Sequence, residues 1–220
     1  QTLCGVLAGL VSWIVFEFTG RGMFPAIGSA IAKTFFYNKE QMGNLMDDCA
    51  GKVSAFITVG MLLGFFLSLV FRYNDEYRKK DGKVWLKIIG LSIFSSFTGM
   101  LAMLVGGIIF CLLLAMVGTT YIPWYCSLPA YILFSVCVAM SLTVKSSIPM
   151  KSALLGGLCS AVIGFIVLYA GSAFSTSAGW LNMLLDFIIY GGGLGASLVT
   201  VRMLAERYFL LIQNGVKAGQ

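Results

Sequence analysis

The sequence has no histidine, four prolines and only 11% charged residues. Without an imidazole it lacks the usual proton shuttle, the commonest zinc and haem ligand, and every histidine-dependent catalytic triad. So little charge cannot clothe a water-exposed surface, since an ordinary soluble domain is about a quarter charged. What is present points the same way. Hydrophobic residues make up 59% of the 220 and mean hydropathy is +0.91. A chain of 23.8 kDa folded in water would still expose roughly 30% of its unfolded surface. Lipid must therefore be the solvent for most of the protein. The 26 glycines suit helices that approach one another closely inside it.

The formal charge of +6 would suggest nucleic acid in a soluble basic domain. Here the lysines and arginines stand mostly in short connections beside apolar runs, the pattern that orients membrane helices, and no nucleic-acid partner is expected. Cys4, Cys49, Cys111, Cys126, Cys137 and Cys159 form no CxxC pair. They read as small packing residues rather than metal ligands or disulfides. The residues call for no cofactor and no metal.

About 20 apolar residues cross the roughly 30 Å of bilayer hydrocarbon. Six stretches qualify: 3–18, 53–71, 88–117, 121–144, 152–171 and 180–201. The expected fold class is an all-α integral membrane protein, a polytopic bundle of about six transmembrane helices. A transmembrane domain over 1–204 would lead to the start of a cytoplasmic domain or tail at 205–220. The third stretch is overlong, and must tilt, break near Gly99 or begin as an interfacial turn. Between the first two spans, Phe24, Ile27, Ile31 and Phe35 recur at helical spacing after Pro25, and Met42, Leu45, Met46 and Cys49 repeat the pattern. These predict two amphipathic helices on the outer membrane surface or capping the bundle.

Arg72, Arg78, Lys79, Lys80, Lys83 and Lys87 crowd the connection between spans two and three. Lys145 and Lys151 stand between four and five, and Arg202, Arg207 and Lys217 follow the last span. The third-to-fourth and fifth-to-sixth connections carry neither lysine nor arginine. The positive-inside rule then puts the basic connections and both termini in the cytoplasm. There Arg78, Lys79, Lys80 and Lys83 would face anionic lipid headgroups. Tyr121, Trp124, Tyr125 and Trp180 would form the outer aromatic belt, with Tyr73, Tyr77 and Trp85 at the inner face.

Gly5 with Gly9, Gly60 with Gly64 and Gly191 with Gly195 are GxxxG pairs, and Ala102 with Gly106 and Gly157 with Ala161 are small-residue equivalents. Spacing of four puts both members on one helix face, so another backbone can come close. The glycine run at 191–193 lacks the lysine of a phosphate loop. It is either a packing face or a point where the sixth helix unwinds to offer carbonyls to an ion. Asp186 is the one ionisable residue deep in an expected span. Either the helix dipole and a hydrogen bond to Asn182 or another helix hold it near the outer interface, or it lines a conduction path. Met100 and Met103 form an MxxM pair without the cysteine spacing that would support copper(I). No second deep carboxylate or deep lysine accompanies a nucleophile, so no catalytic residue is expected.

The basic turn feeding "SALLGGLCSAVIGFIVLYAG", the last span "FIIYGGGLGASLVTVRMLAER" and the tail "YFLLIQNGVKAGQ" resemble a group of bacterial glycine-rich, multi-pass membrane proteins that carry a C-terminal forkhead-associated domain. The opening "GVLAGLVSWIVFEF" resembles that group's first span. The tail is similar to the first strand and turn of such a domain: residues 208–212 read as a short apolar strand and Asn214-Gly215 as a hairpin-type turn. The resemblance implies a phosphothreonine-binding domain in the bacterial cytoplasm, tethered to the inner membrane by this bundle. The phosphate-contacting arginine, serine and asparagine of such domains lie past the matched stretch, so it assigns no binding residue here.

Three readings follow. The chain is a non-catalytic anchor or scaffold that assembles through its small-residue faces, within a homo- or hetero-oligomeric complex, and presents a cytoplasmic phosphopeptide reader. Alternatively it is a channel or transporter subunit that uses Asp186 and the segment from Gly191 to Gly195. Thirdly, it is a structural subunit of a larger membrane machine. The even number of spans has a direct check. Lys80→Cys and Gly215→Cys, made singly after the native cysteines are replaced, should both react with a membrane-impermeant maleimide from the cytoplasmic side. Labelling of the two from opposite sides would overturn the topology.

Overall fold

The computed structural model describes residues 2–19, 23–36, 43–76, 84–117, 124–144 and 150–173, together with the isolated positions 184 and 188. Among these residues the regular elements are all helical. They are α1 (Thr2–Phe18), α2 (Pro25–Phe36), α3 (Gly43–Glu76), α4 (Val84–Val117), α5 (Leu128–Thr143) and α6 (Met150–Ala173), with a 3-10 turn at Trp124–Ser127 leading into α5. Outside the described residues lie Asp186, Gly191, Gly195, Arg78, Lys79, Lys80, Lys83, the tail and, those two positions aside, the expected sixth span.

Among the described residues, three segments are long and apolar enough to cross a membrane: Leu45–Tyr73, Val84–Val117 and Tyr125–Thr143. At 1.5 Å per residue, the 34 residues of α3 and of α4 each reach about 51 Å. Both therefore run past the hydrocarbon or cross it at a tilt. The 12 residues of α2 reach only about 18 Å.

The exterior differs from that of a soluble bundle: large apolar side chains fill the core, Phe16, Leu63, Phe110 and Phe134 among them, and others cover the outside. On α1 the buried positions include Ala8, Ser12 and Phe16, with Gly5 and Gly9 beside them, while Leu7, Leu10, Val11, Ile14 and Phe18 face outward. On α4 the inward stripe includes Ser92, Ser95, Gly99, Ala102, Gly106 and Gly107; Ile93, Phe97, Leu101, Val105 and Leu112 are exposed. On α6, Ala153, Gly157, Ser160 and Ala161 turn in while Leu155, Leu158, Val162 and Ile166 turn out. An apolar exterior this continuous belongs in hydrocarbon, and the protein is a helical membrane protein.

The helices pack in the order α6, α5, α4, α3, with α1 on α3 and α2 lying against α3 and touching α4. α3 and α4 form the most extensive interface, and its centre is made of backbone. A methyl group at Gly60 would strike the Gly99 carbonyl and come within 2.7 Å of Met103 Cγ; one at Gly64 would lie 2.5 Å from the Ser95 carbonyl. Ser96 adds a hydrogen bond across the same seam, its hydroxyl donating to the Met61 carbonyl at 2.8 Å. Gly106 abuts Ala130 of α5, and Gly157 sits 2.9 Å, by its missing methyl, from the Ser135 carbonyl.

Three details differ from the sequence expectation. First, of the alternatives open for the overlong third stretch, the break near Gly99 does not occur: α4 runs unbroken through it. That glycine is a contact point, kept small because α3 fills the space of its side chain. Second, Leu45, Met46 and Cys49 belong to α3 rather than to a separate surface helix. No proline interrupts 43–76, and a helix without a breaker keeps propagating. Third, Phe24, Ile31 and Phe35 pack against the core as expected, but the most buried residues of α2 are Gly28, Ala32 and Phe36, and Ile27 is exposed. Small residues face inward because Gly28 rests on the Ala50 carbonyl. The α2 approach is pinned where the Met23 N–H donates to Thr58 Oγ1 at 3.0 Å.

Growth at the α3–α4 crossing should be penalised and growth away from it should not. Gly60→Val is expected to destabilise the protein in detergent by about 1–3 kcal/mol through overpacking against backbone. Gly90→Ala, where nothing lies within 4 Å of an added methyl, should be neutral or stabilise by up to about 1 kcal/mol through helix propensity. Unfolding midpoints of the two variants measure the contrast, and equal midpoints would contradict it.

Candidate functional site

The most developed polar site among the described residues joins α3, α4 and α5 near the C-terminal end of α3. Ser68 and Arg72 are four residues apart on α3 and so share a face. Ser95 faces the same end from α4, and Ser141 lies in the last turn of α5. Beyond it the backbone leaves the helix at Val144, with φ −61° and ψ 116°. A helix that stops inside a bundle leaves its last carbonyls without intrahelical donors.

Arg72 meets that need. Its Nε donates to Ser68 Oγ at 3.0 Å, one terminal nitrogen to the Val144 carbonyl at 2.8 Å, and the other to the Ser141 carbonyl at 2.9 Å. Only 5% of the residue is exposed. The guanidinium thus sits at the negative end of the α5 dipole, where a cation is favoured, and its fork geometry reaches both carbonyls together. The Ser141 hydroxyl donates to the Val138 carbonyl at 2.7 Å and is hydrogen-bonded to the Ser95 hydroxyl at 2.9 Å, which ties α4 into the same knot. Nearby, the rings of Tyr73 and Trp85 lie 5.3 Å apart and close the end of α3 onto the start of α4.

The sequence pattern places Arg72 in the basic connection between the second and third spans. The structure corrects this: α3 continues to Glu76, and Arg72 is a buried part of it. A serine one turn earlier and the apolar residues around it were the available signal. The partners at Ser141 and Val144 are about 70 residues away in the chain, and no local pattern discloses them.

The packing glycines do not converge on one site. Gly60 and Gly64 serve the α3–α4 seam, Gly106 the α4–α5 seam and Gly157 the α5–α6 seam, while Gly5 and Gly9 are buried on α1. Met103 is buried against Gly60, and Met100 packs on the same core, so both methionines take part in packing. The hydroxyls of Ser54, Ser92, Ser135 and Ser160 are buried without a hydrogen-bond partner. Among the described residues, no group of three or more Cys, Asp or Glu side chains is placed to hold a metal ion.

No protein-family model, curated protein or solved structure matches the chain. The arrangement is that of a clamp: a buried cation bonded to helix-end carbonyls holds three helices in register.

Replacing the cation tests the clamp. Arg72→Met leaves the helix-end carbonyls without their donor and should cost about 2–4 kcal/mol. Arg72→Lys keeps the charge but cannot span both carbonyls, and should recover less than half of the loss. Unfolding of the detergent-solubilised variants checks the ranking, and an Arg72→Met protein as stable as the parent would refute the role.

Proposed function

We propose that this chain is a non-catalytic anchor or scaffold of the bacterial inner membrane, crossing it six times with both termini in the cytoplasm. It assembles with other membrane chains and presents a phosphothreonine-reading domain on the cytoplasmic side. The observation that carries the scaffold reading is the nature of the interfaces. Each described seam from α3 to α6 is centred on backbone meeting backbone at a small residue, and the buried arginine is engaged in closing helix ends. Such geometry favours a fixed relative position of helices over one that must open and close during transport. The cytoplasmic reader rests on the resemblance of the last span and tail to forkhead-associated membrane proteins, and the orientation rests on the lysine and arginine distribution.

The decisive experiment isolates the full-length natural protein from its own membrane in mild detergent. Partner chains should copurify in fixed proportion, and immobilised phosphothreonine peptides should retain the complex while their unphosphorylated counterparts do not. Reconstituted vesicles should show no ion flux. A lone protein that ignores the phosphopeptides would refute the proposal, and flux abolished by Asp186→Asn would replace it with a conduction role.

A further inference from the structure

Three cysteines with no exposed surface lie at the opposite end of α3 from Arg72: Cys49 on α3, Cys111 on α4 and Cys126 in the 3-10 turn before α5. The register of α3 against α4 brings the first two together. Gly64 meets Ser95, Gly60 meets Gly99, and Val53 meets Gly107, so the helices run antiparallel in constant step. Moving one further turn from Val53 reaches Cys49, and one further turn from Gly107 reaches Cys111. The register thus sets the two buried thiols side by side across the seam. Lys52 lies close enough to interact electrostatically with Cys49 and Cys126, and its ammonium stands 5.9 Å from the Phe110 ring centroid.

We infer that Cys49 and Cys111 are a redox-reversible pair whose disulfide staples α3 to α4 at the end opposite the arginine clamp. The oxidant is a disulfide donor, either a small-molecule disulfide or an oxidised dithiol protein. The thiolate of one cysteine attacks a donor sulfur, forms a mixed disulfide and releases the donor's first thiol. The thiolate of the second cysteine then attacks the protein-side sulfur, forming the Cys49–Cys111 bond and releasing the donor's second thiol. Two protein thiols lose two electrons and two protons, and the donor is reduced to two thiols. On the orientation proposed above, this end faces away from the cytoplasm, where disulfides persist; the pairing itself does not depend on that orientation. α2 packs directly beside the pair, with Gly28 on the Ala50 carbonyl, so a donor arriving from that side has to move α2 aside.

The test uses the chain with Cys4→Ala, Cys126→Ala, Cys137→Ala and Cys159→Ala, folded in detergent and treated with 2,2′-dithiodipyridine. Each molecule should release two thiopyridones, keep no pyridyl group, become two hydrogens lighter and yield a linked Cys49–Cys111 peptide that dithiothreitol separates. Its thermal midpoint should rise on oxidation and fall back on reduction. Adding Cys111→Ala should stop the reaction at one retained pyridyl group. Two pyridyl adducts per chain, or thiols that react only after denaturation, would overturn the inference. If the four-alanine chain does not fold, non-reducing peptide maps of the unaltered protein decide, and Cys126 linked to either partner would overturn it equally. Failure of this pairing would leave the scaffold proposal intact, since copurification and phosphopeptide retention do not read thiols.

Discussion

Helices in hydrocarbon gain nothing from hiding apolar surface from one another, because lipid tails are as apolar as leucine. Association must come from close approach and from polar groups that have nowhere else to bond. The faces of α1, α4 and α6 follow from that constraint: glycine, alanine and serine line the inner faces between a few buried large residues such as Phe16, Phe110 and Leu114, and many leucines, isoleucines and phenylalanines cover the outside. A large residue on the outer face sits as well in lipid as against protein. A small one on the inner face lets main chains touch, as Gly60 and Gly99 do, and the many weak dispersion attractions between them add up.

The same constraint explains why polar groups gather at seams and ends. The Ser12 and Thr34 hydroxyls donate to carbonyls one turn back, at 2.7 and 2.9 Å, a local solution that binds nothing else. Ser96 and Arg72 take the non-local one, donating to another helix. Arg72 is the extreme case. An arginine withdrawn from water is tolerable only when several strong acceptors surround it, and the end of α5 supplies two carbonyls with the dipole behind them. The charge and the helix end each relieve the other's unmet bonding.

The fold was legible in the sequence wherever the signal was composition or local period. Apolar runs announced the helices at 2–18, 84–117 and 150–173 to within a few residues. The helix start at Pro25 was legible too, because its ring presets the first helical φ. The face of α2 was legible in part, since Phe24, Ile31 and Phe35 pack against the core and Ile27 does not. Ile27 looks like part of an amphipathic stripe, but Gly28 decides the orientation because only it admits the Ala50 backbone. Hydrophobic period ranks residues by size and greasiness, and in lipid the smallest residues select the inner face. The candidate site was least legible. Arg72 sits in a run of basic residues that follows an apolar span, and what distinguishes it from its neighbours is the end of a helix distant in sequence.

These two kinds of interaction divide the labour along α3. Its middle is fixed by backbone packing against α4, which tolerates almost no added volume at Gly60 or Gly64. Its C-terminal end is fixed by charge-assisted hydrogen bonds to α5. Dispersion attraction falls off within an ångström of separation, so it sets how near the helices lie. Hydrogen bonds from a forked guanidinium are directional, so they set where along its length α5 stops beside α3. A sliding motion of α5 against α3 would break the arginine bonds before it disturbed the glycine seam, and a spreading motion of α4 from α3 would break the seam first. The two kinds of contact thus constrain different displacements of the same helix.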